Sequence, residues 1–160
     1  MTRPLVRFAV FFFLLLLGFS ALSAMTGLQN RLHLIENAFA SAATGMAHAA
    51  GSGAQVVNGN LILTENLTLN INHECTGVFV LFVLVSFIAA YPSKLSAKAL
   101  GILVGVTTLS FINVVRIATL VRIVEFYPRS FEYFHEYIWQ GAFLMLVTLY
   151  AITWVEWARR

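Results

Sequence analysis

Residues 99–123 read ALGILVGVTTLSFINVVRIATLVRI, and Arg116 and Arg122 are the only charged positions in the run. A helix rises about 1.5 Å per residue and a bilayer's hydrocarbon core is about 30 Å thick, so about 20 apolar residues make one span. The run therefore predicts a transmembrane helix. Three comparable blocks lie around it: about Leu5–Met25, with FFFLLLL at 11–17; about Gly77–Tyr91; and about Tyr137–Trp157. The second is short and is expected to recruit Cys75 and Thr76 at one end. Glycine is the one breaker inside these blocks, and membrane helices tolerate it. The expected fold is an all-α integral membrane protein, a single domain over residues 1–160. It is a four-transmembrane-helix bundle with spans at about 5–25, 77–91, 99–123 and 137–157, plus a small extracytoplasmic segment at about 26–74.

Composition agrees. Of 160 residues, 59% are hydrophobic and 11% charged, and the mean hydropathy is +0.82. That is too apolar for a soluble domain of this size, because the apolar residues form blocks rather than amphipathic periods. The net charge of +3 comes without a basic stripe or basic–aromatic patch, so no nucleic-acid partner is indicated. Most basic residues flank the apolar blocks and imply contact with membrane lipid. With the N-terminus inside, Arg3, Arg7, Lys94, Lys98, Arg159 and Arg160 face the cytoplasm, while all glutamates but Glu156 fall on the outer side. The positive-inside rule favours this topology, with both termini cytoplasmic. The first block, ending near Ala21-Leu22-Ser23-Ala24, also resembles a signal peptide. Its apolar run is long for one, so a retained helix is expected, and cleavage would not change the orientation of the other spans.

The outer segment has internal order. Leu28, Leu32, Ile35, Phe39, Ala42 and Met46 recur at helical spacing and predict an amphipathic helix that packs on the membrane domain or lies among the headgroups. Gly51-Ser52-Gly53 ends it. Asn58-Gly59, between Val56-Val57 and Leu61-Ile62, predicts a hairpin with a two-residue type I′ turn. Leu67–Asn72 alternates with period two, as a half-buried strand does. A sheet of two or three strands thus leads into Cys75. The sequon Asn66-Leu67-Thr68 is discounted as a chance match. Pro92–Lys98 is expected to be an inner loop, and Glu125–Glu136 an outer loop whose Phe126, Tyr127, Phe131, Tyr133, Phe134 and Tyr137 form an interfacial belt.

Three residues suggest chemistry. Cys75 is the sole cysteine, so it forms no internal disulfide and must be packing, a ligand or a nucleophile. Arg116 inside an apolar run costs several kcal/mol unless paired or hydrated, which makes a functional role the default; a structural pair with Glu74 or Glu136 is the alternative. His135 stands at the head of the last block. Counting about 17 residues from Pro92 back to Cys75, and about 17 from Ala99 forward to Arg116, gives roughly 25 Å of helix in each case. Both therefore reach the outer boundary, where the fourth span starts just after His135. A metal set of His73, Cys75 and His135, with Glu136 nearby, is a weaker alternative, since no His-Glu-x-x-His or Cys-x-x-Cys pair is present.

Cys75-Thr76-Gly77 resembles the Cys-Ser/Thr-Gly motif of the exosortase/archaeosortase family. Asn113-Val114-Val115-Arg116-Ile117 resembles its Asn-x-x-Arg motif, and Phe134-His135 followed by Gly141 its histidine motif. The order agrees, and the likeness covers roughly residues 70–145. The resemblance implies a membrane-embedded cysteine protease or transpeptidase of a bacterial cytoplasmic membrane, with its active site at the extracytoplasmic face and no cofactor. Its substrates would be exported proteins whose C-terminal tail carries a short motif, a transmembrane helix and a basic cluster. It implies Cys75 as nucleophile, Arg116 as stabiliser of the oxyanion or thiolate, and His135 as general acid/base, supported by Thr76, Gly77 and Asn113. Many members have about eight spans. Four resemble a compact form such as the exosortase H subtype, in which a homo-oligomer or partner would help to enclose a substrate helix. Arg122 is the rival to Arg116. A non-catalytic four-helix assembly or transport subunit is the alternative to an enzyme.

Overall fold

The computed structural model describes residues 2–23 and 26–159. The expected end of the first span at Met25, Ala24 of the signal-peptide reading, and Arg160 lie outside the described residues. Helix α1 (Thr2–Ser23) is followed by α2 (Thr26–Ala49), strands β1 (Gln55–Val57), β2 (Leu61–Leu63) and β3 (Thr68–Asn70), and helices α3 (Val78–Ala90) and α4 (Leu95–Phe126). A 3-10 turn at Pro128–Ser130 and a π-helical stretch at Tyr133–Ile138 lead into α5 (Trp139–Ala158). Among the described residues, two helices are long and apolar enough to cross a membrane, Leu95–Phe126 and the continuous Pro128–Ala158; Val6–Ala21 and Val78–Ala90 are shorter apolar stretches.

Several boundaries differ from expectation. Cys75 and Thr76 do not extend the second apolar helix: Gly77 has φ 67°, and α3 begins only at Val78. Left-handed backbone cannot continue a right-handed helix, so the motif forms a turn on top of α3. The expected inner loop Pro92–Lys98 is shorter: only the four residues Tyr91-Pro92-Ser93-Lys94 separate α3 from α4, which starts at Leu95. The expected outer loop is mostly helical. α4 runs to Phe126, and His135 lies inside the helix that continues as α5.

The segment between α1 and α3 folds as one helix and an antiparallel meander in the order β1-β2-β3. Val57 pairs with Leu61, so the β1–β2 connection is the three residues Asn58-Gly59-Asn60 rather than a two-residue turn. Asn58 and Gly59 still take positive φ, 53° and 87°. The extra residue is Asn60, whose carbonyl is drawn toward the third strand and accepts from the Ile71 N–H at 2.9 Å. The period-two reading of Leu67–Asn72 holds from Thr68 to Ile71, with Leu69 and Ile71 buried and Thr68 and Asn70 exposed, but not at Leu67, which precedes the strand and is exposed.

On α2 the buried face is Glu36, Ala40, Ala43, Thr44 and Ala47, while Ile35 and Ala42 are exposed. At about 100° per residue this stripe lies roughly a quarter turn from the one predicted. Small side chains won over large ones because they let α2 approach α4 closely. One core joins these alanines to Ile62, Leu69, Ile71, Ile117, Val121 and Val124. A second, at the other end of the bundle, gathers Leu84 and Ile88 of α3, Leu109 of α4, and Phe143 and Trp154 of α5. There α4 presents Gly101 and Gly105 to α5, four residues apart on one face. Tyr150 donates its hydroxyl to the Gly101 carbonyl at 2.6 Å, and Trp154 its indole N–H to the Ala97 carbonyl at 3.2 Å. α1 lies on α3 through aromatic stacking, Phe19 on Phe82 with ring centroids 3.8 Å apart.

Candidate active site

The turn His73–Gly77, between β3 and α3, fixes Cys75 through its backbone. Its N–H donates to Asn72 Oδ1 at 3.0 Å, and its carbonyl accepts from Asn113 Nδ2 of α4 at 2.9 Å. Thr76, 1% exposed, donates its hydroxyl to the His73 carbonyl at 2.8 Å. Gly77 combines its positive φ with tight surroundings: a Cβ there would stand 3.3 Å from the Phe143 ring. The Cys-Thr-Gly run is therefore a unit, with Thr76 closing the turn, Gly77 ending it, and Asn113 tying it to the arginine helix.

Cys75 Sγ lies 3.8 Å from His135 Nε2. The imidazole is stacked on Phe131, centroids 5.3 Å apart and rings 19° from parallel. The π-helical stretch carrying His135 holds one residue more per turn than an α-helix, and such stretches recur at functional sites. Here it changes the facing of Phe131 and His135 relative to α5 by about 100°.

Arg116 is 7% exposed and lies one turn from Asn113 on α4. It forms no ion pair among the described residues, so the alternative pairing with Glu74 or Glu136 is not found, and its Nε has no hydrogen-bond partner. Its guanidinium sits 5.9 Å from the Phe143 ring centroid. A cation–π contact of about 0.5–2 kcal/mol offsets only part of the several kcal/mol that burying a lone cation costs. Arg116 borders two cavities. One, of about 230 Å³, also touches β3, Cys75 and His135. The other, of about 700 Å³, lies among Phe19, His73, Val78, His135 and Phe143. Arg122 points elsewhere: it pairs with Glu125, which also accepts from Ser52, and stacks over Phe126 at 4.7 Å.

Burial pushes the Cys75 thiol up from its ordinary range. The Asn72 hydrogen bond and then the Arg116 charge pull it back, while Glu74 and Glu36 add to the rise. In the fold, desolvation outweighs the arginine's charge and favours the neutral form of the thiol, which lies in contact with an imidazole. A thiol, an imidazole that can take its proton, and an unpaired guanidinium meet around space for a reacting carbonyl, as nucleophilic acyl chemistry needs.

Glu36 of α2 was missed from sequence. It is 4% exposed, with His33 Nδ1 at 2.8 Å from Oε2 and His73 Nδ1 at 3.9 Å from Oε1. His73 thus turns toward Glu36. Among the described residues no three His, Cys, Asp or Glu gather as a metal-ligand set.

The sequence profile of the transmembrane exosortase family matches residues 3–154. A curated relative described as a probable archaeosortase E, from Methanocaldococcus jannaschii, is 30% identical over 97 residues, which cover 61% of this chain and 52% of that protein. The chain thus aligns with about half the length of this relative. No solved structure matches.

Proposed function

The chain belongs to the transmembrane exosortase family, and from that premise we propose that it cuts the C-terminal sorting signal of exported proteins through a thioester on Cys75. The observation that carries the reading is the 3.8 Å contact between Cys75 Sγ and His135 Nε2, beside an Arg116 with no anionic partner among the described residues. His135 takes the thiol proton as Sγ attacks the scissile carbonyl carbon. Arg116 faces the charge that develops on the carbonyl oxygen, where a desolvated donor is most effective. As the C–N bond breaks, His135 returns the proton to the departing amine. An amine or water then attacks the thioester, giving its proton to His135, and the thiol is restored. Thr76, Gly77 and Asn113 are positioning residues that hold the nucleophile's backbone.

The two cavities divide the substrate. The larger, bordered by Phe19 of α1, Val78–Val80 of α3 and Phe143–Leu144 of α5, suits the apolar helix of a sorting signal. The smaller suits the segment before it. The face of the membrane follows from charge. Arg7 and Lys98 border one cavity and Arg159 donates to the Tyr91 hydroxyl at 2.8 Å, all at the end of the bundle away from Cys75. By the positive-inside rule that end is cytoplasmic and the site extracytoplasmic, in a bacterial cytoplasmic membrane.

The test replaces Cys75 with Ala in cells that make a tailed exported protein, and follows that protein's size and location on a blot. We expect accumulation of the uncut, membrane-held form. Unchanged processing would sink the assignment.

A further inference from the structure

The β3 edge of the sheet, beside Cys75, has no strand paired to it among the described residues. The hydrogen bonds Thr64 N–H to Leu67 carbonyl (3.0 Å) and Ile71 N–H to Asn60 carbonyl (2.9 Å) turn Leu67 and Ile71 toward β2. With Ile62 opposite Leu69, the antiparallel alternation makes Leu69 the bonded partner between them. Thr68 and Asn70 therefore carry their N–H and C=O to the opposite edge. The position of the thiol agrees, since the Asn70 carbonyl lies 3.9 Å from Cys75 Sγ. Residues 67–72 form one wall of the 230 Å³ cavity, and Ile117, Leu120, Phe131 and His135 contribute to the rest.

We infer that this edge receives the substrate: an extended peptide segment on the acyl side of the bond to be cut adds to β3 as a further strand, running parallel to it toward Cys75. The inference rests on the reading of Cys75 as the nucleophile and deepens it. Donors and acceptors repeating every second residue along an edge match another extended backbone, and strand addition of this kind is a recurring mode of peptide recognition. A lipid chain offers no such groups. The direction follows from chemistry. β3 runs toward the thiol, and the acyl segment must end there at its carbonyl, so the two chains run in parallel. Backbone pairing grips many sequences equally, and the apolar wall selects the side chain that faces it.

The test uses the full-length protein in lipid nanodiscs and two electrophiles, acetyl-tetraalanine vinyl sulfone and ethyl vinyl sulfone. Each alkylates Cys75 by conjugate addition, with sulfur bonding to the vinyl carbon β to the sulfonyl group and a proton adding to the α carbon, read by intact mass. We expect the peptide reagent to react faster. Methylating the peptide nitrogen that faces β3 should lower its rate roughly 3–10-fold, the worth of one hydrogen bond, and methylating the adjacent nitrogen should not. Thr68→Pro removes an N–H from the free edge while sparing the ladder to β2, as edge prolines do. It should lower the ratio of peptide to ethyl rates by a similar factor. A peptide advantage that survives both methylations and Thr68→Pro overturns the inference, as does the lack of any advantage. If Thr68→Pro slows both reagents alike, the methylation series on the unaltered protein decides. A Cys75 inert to both reagents removes the nucleophile reading and this inference with it; a reactive Cys75 indifferent to peptide backbone removes this inference alone.

Discussion

Cys75 is held at three points by three different parts of the chain: its N–H by Asn72, its carbonyl by Asn113 and its sulfur by His135. Two of these partners were legible in the sequence, because Asn113 and His135 lie in recognisable patterns. Asn72 was not, since nothing in the order of residues shows a side chain folding back three positions to cap a turn. Arg116 is the cation that bears on the thiol, behind burial and the Asn72 hydrogen bond. Burial raises the Cys75 pKa and the Arg116 charge lowers it, so loss of that charge raises it further. Below the thiol's pKa the thiolate fraction falls tenfold per unit, and the thiolate is the reactive form. Arg116→Gln should therefore slow alkylation of Cys75 by ethyl vinyl sulfone at pH 7.5 by roughly 3–10-fold and move the midpoint of its pH profile upward. Arg116→Lys should retain much of the alkylation rate but lose substrate processing, because an ammonium lacks the planar fork of the guanidinium. An unmoved midpoint in Arg116→Gln would separate the arginine from the thiol.

Between elements, close approach depends on small residues more than on large ones. A Cβ at Gly101 would stand 2.0 Å from Trp154 Nε1, and one at Gly105 would stand 2.7 Å from the Tyr150 ring. Small residues four apart let membrane helices pack backbone to side chain without a gap. Gly101→Ala must push Trp154 away from the Ala97 carbonyl it bonds. We expect it to destabilise the protein in detergent by about 1–3 kcal/mol, the usual cost of overpacking, read as a lowered thermal midpoint. Gly45→Ala is the control: no atom lies within 4 Å of its added Cβ. It lies within α2, so the substitution should be neutral or stabilising by about 0.5–1 kcal/mol. The same physics explains the misread face of α2. Periodicity of large apolar residues marked one stripe, but the stripe that packs is the one whose side chains leave room for α4. Glu36 was invisible for a related reason, since only the packed neighbours show that a carboxylate on that helix is buried.

Taken whole, the molecule is inside-out in the manner of a membrane protein. Phe11, Leu14 and Leu17 of α1, Leu103 and Phe111 of α4, and Leu144, Leu149 and Ile152 of α5 are all exposed. A soluble monomer seldom leaves so much contiguous apolar surface uncovered, whereas hydrocarbon chains solvate it. α3, at 13 residues, is about 20 Å long, less than the thickness of a bilayer's hydrocarbon core. Labelling can test the proposed orientation. In a Cys75→Ala background, Glu65→Cys should react with an impermeant maleimide in intact spheroplasts, and Ser96→Cys should react only after permeabilisation. The reverse pattern would turn the site toward the cytoplasm.

The sequence by itself carried the family, the mostly helical, apolar class of the protein and the candidate residues Cys75, Arg116 and His135. Those depend on local quantities: the length of an apolar run, the alternation of Leu69 and Ile71, a lone thiol, and a charge in the wrong solvent. The tertiary structure alone decided the rest. It ended the second apolar helix at Gly77, wound the outer loop into helix, and turned α2 onto its alanine stripe. It also buried Glu36 and made desolvation outweigh the arginine at the thiol. Each of these depends on which surfaces meet, and the free energy of a buried charge or an added methyl group is set by its neighbours in space rather than in sequence.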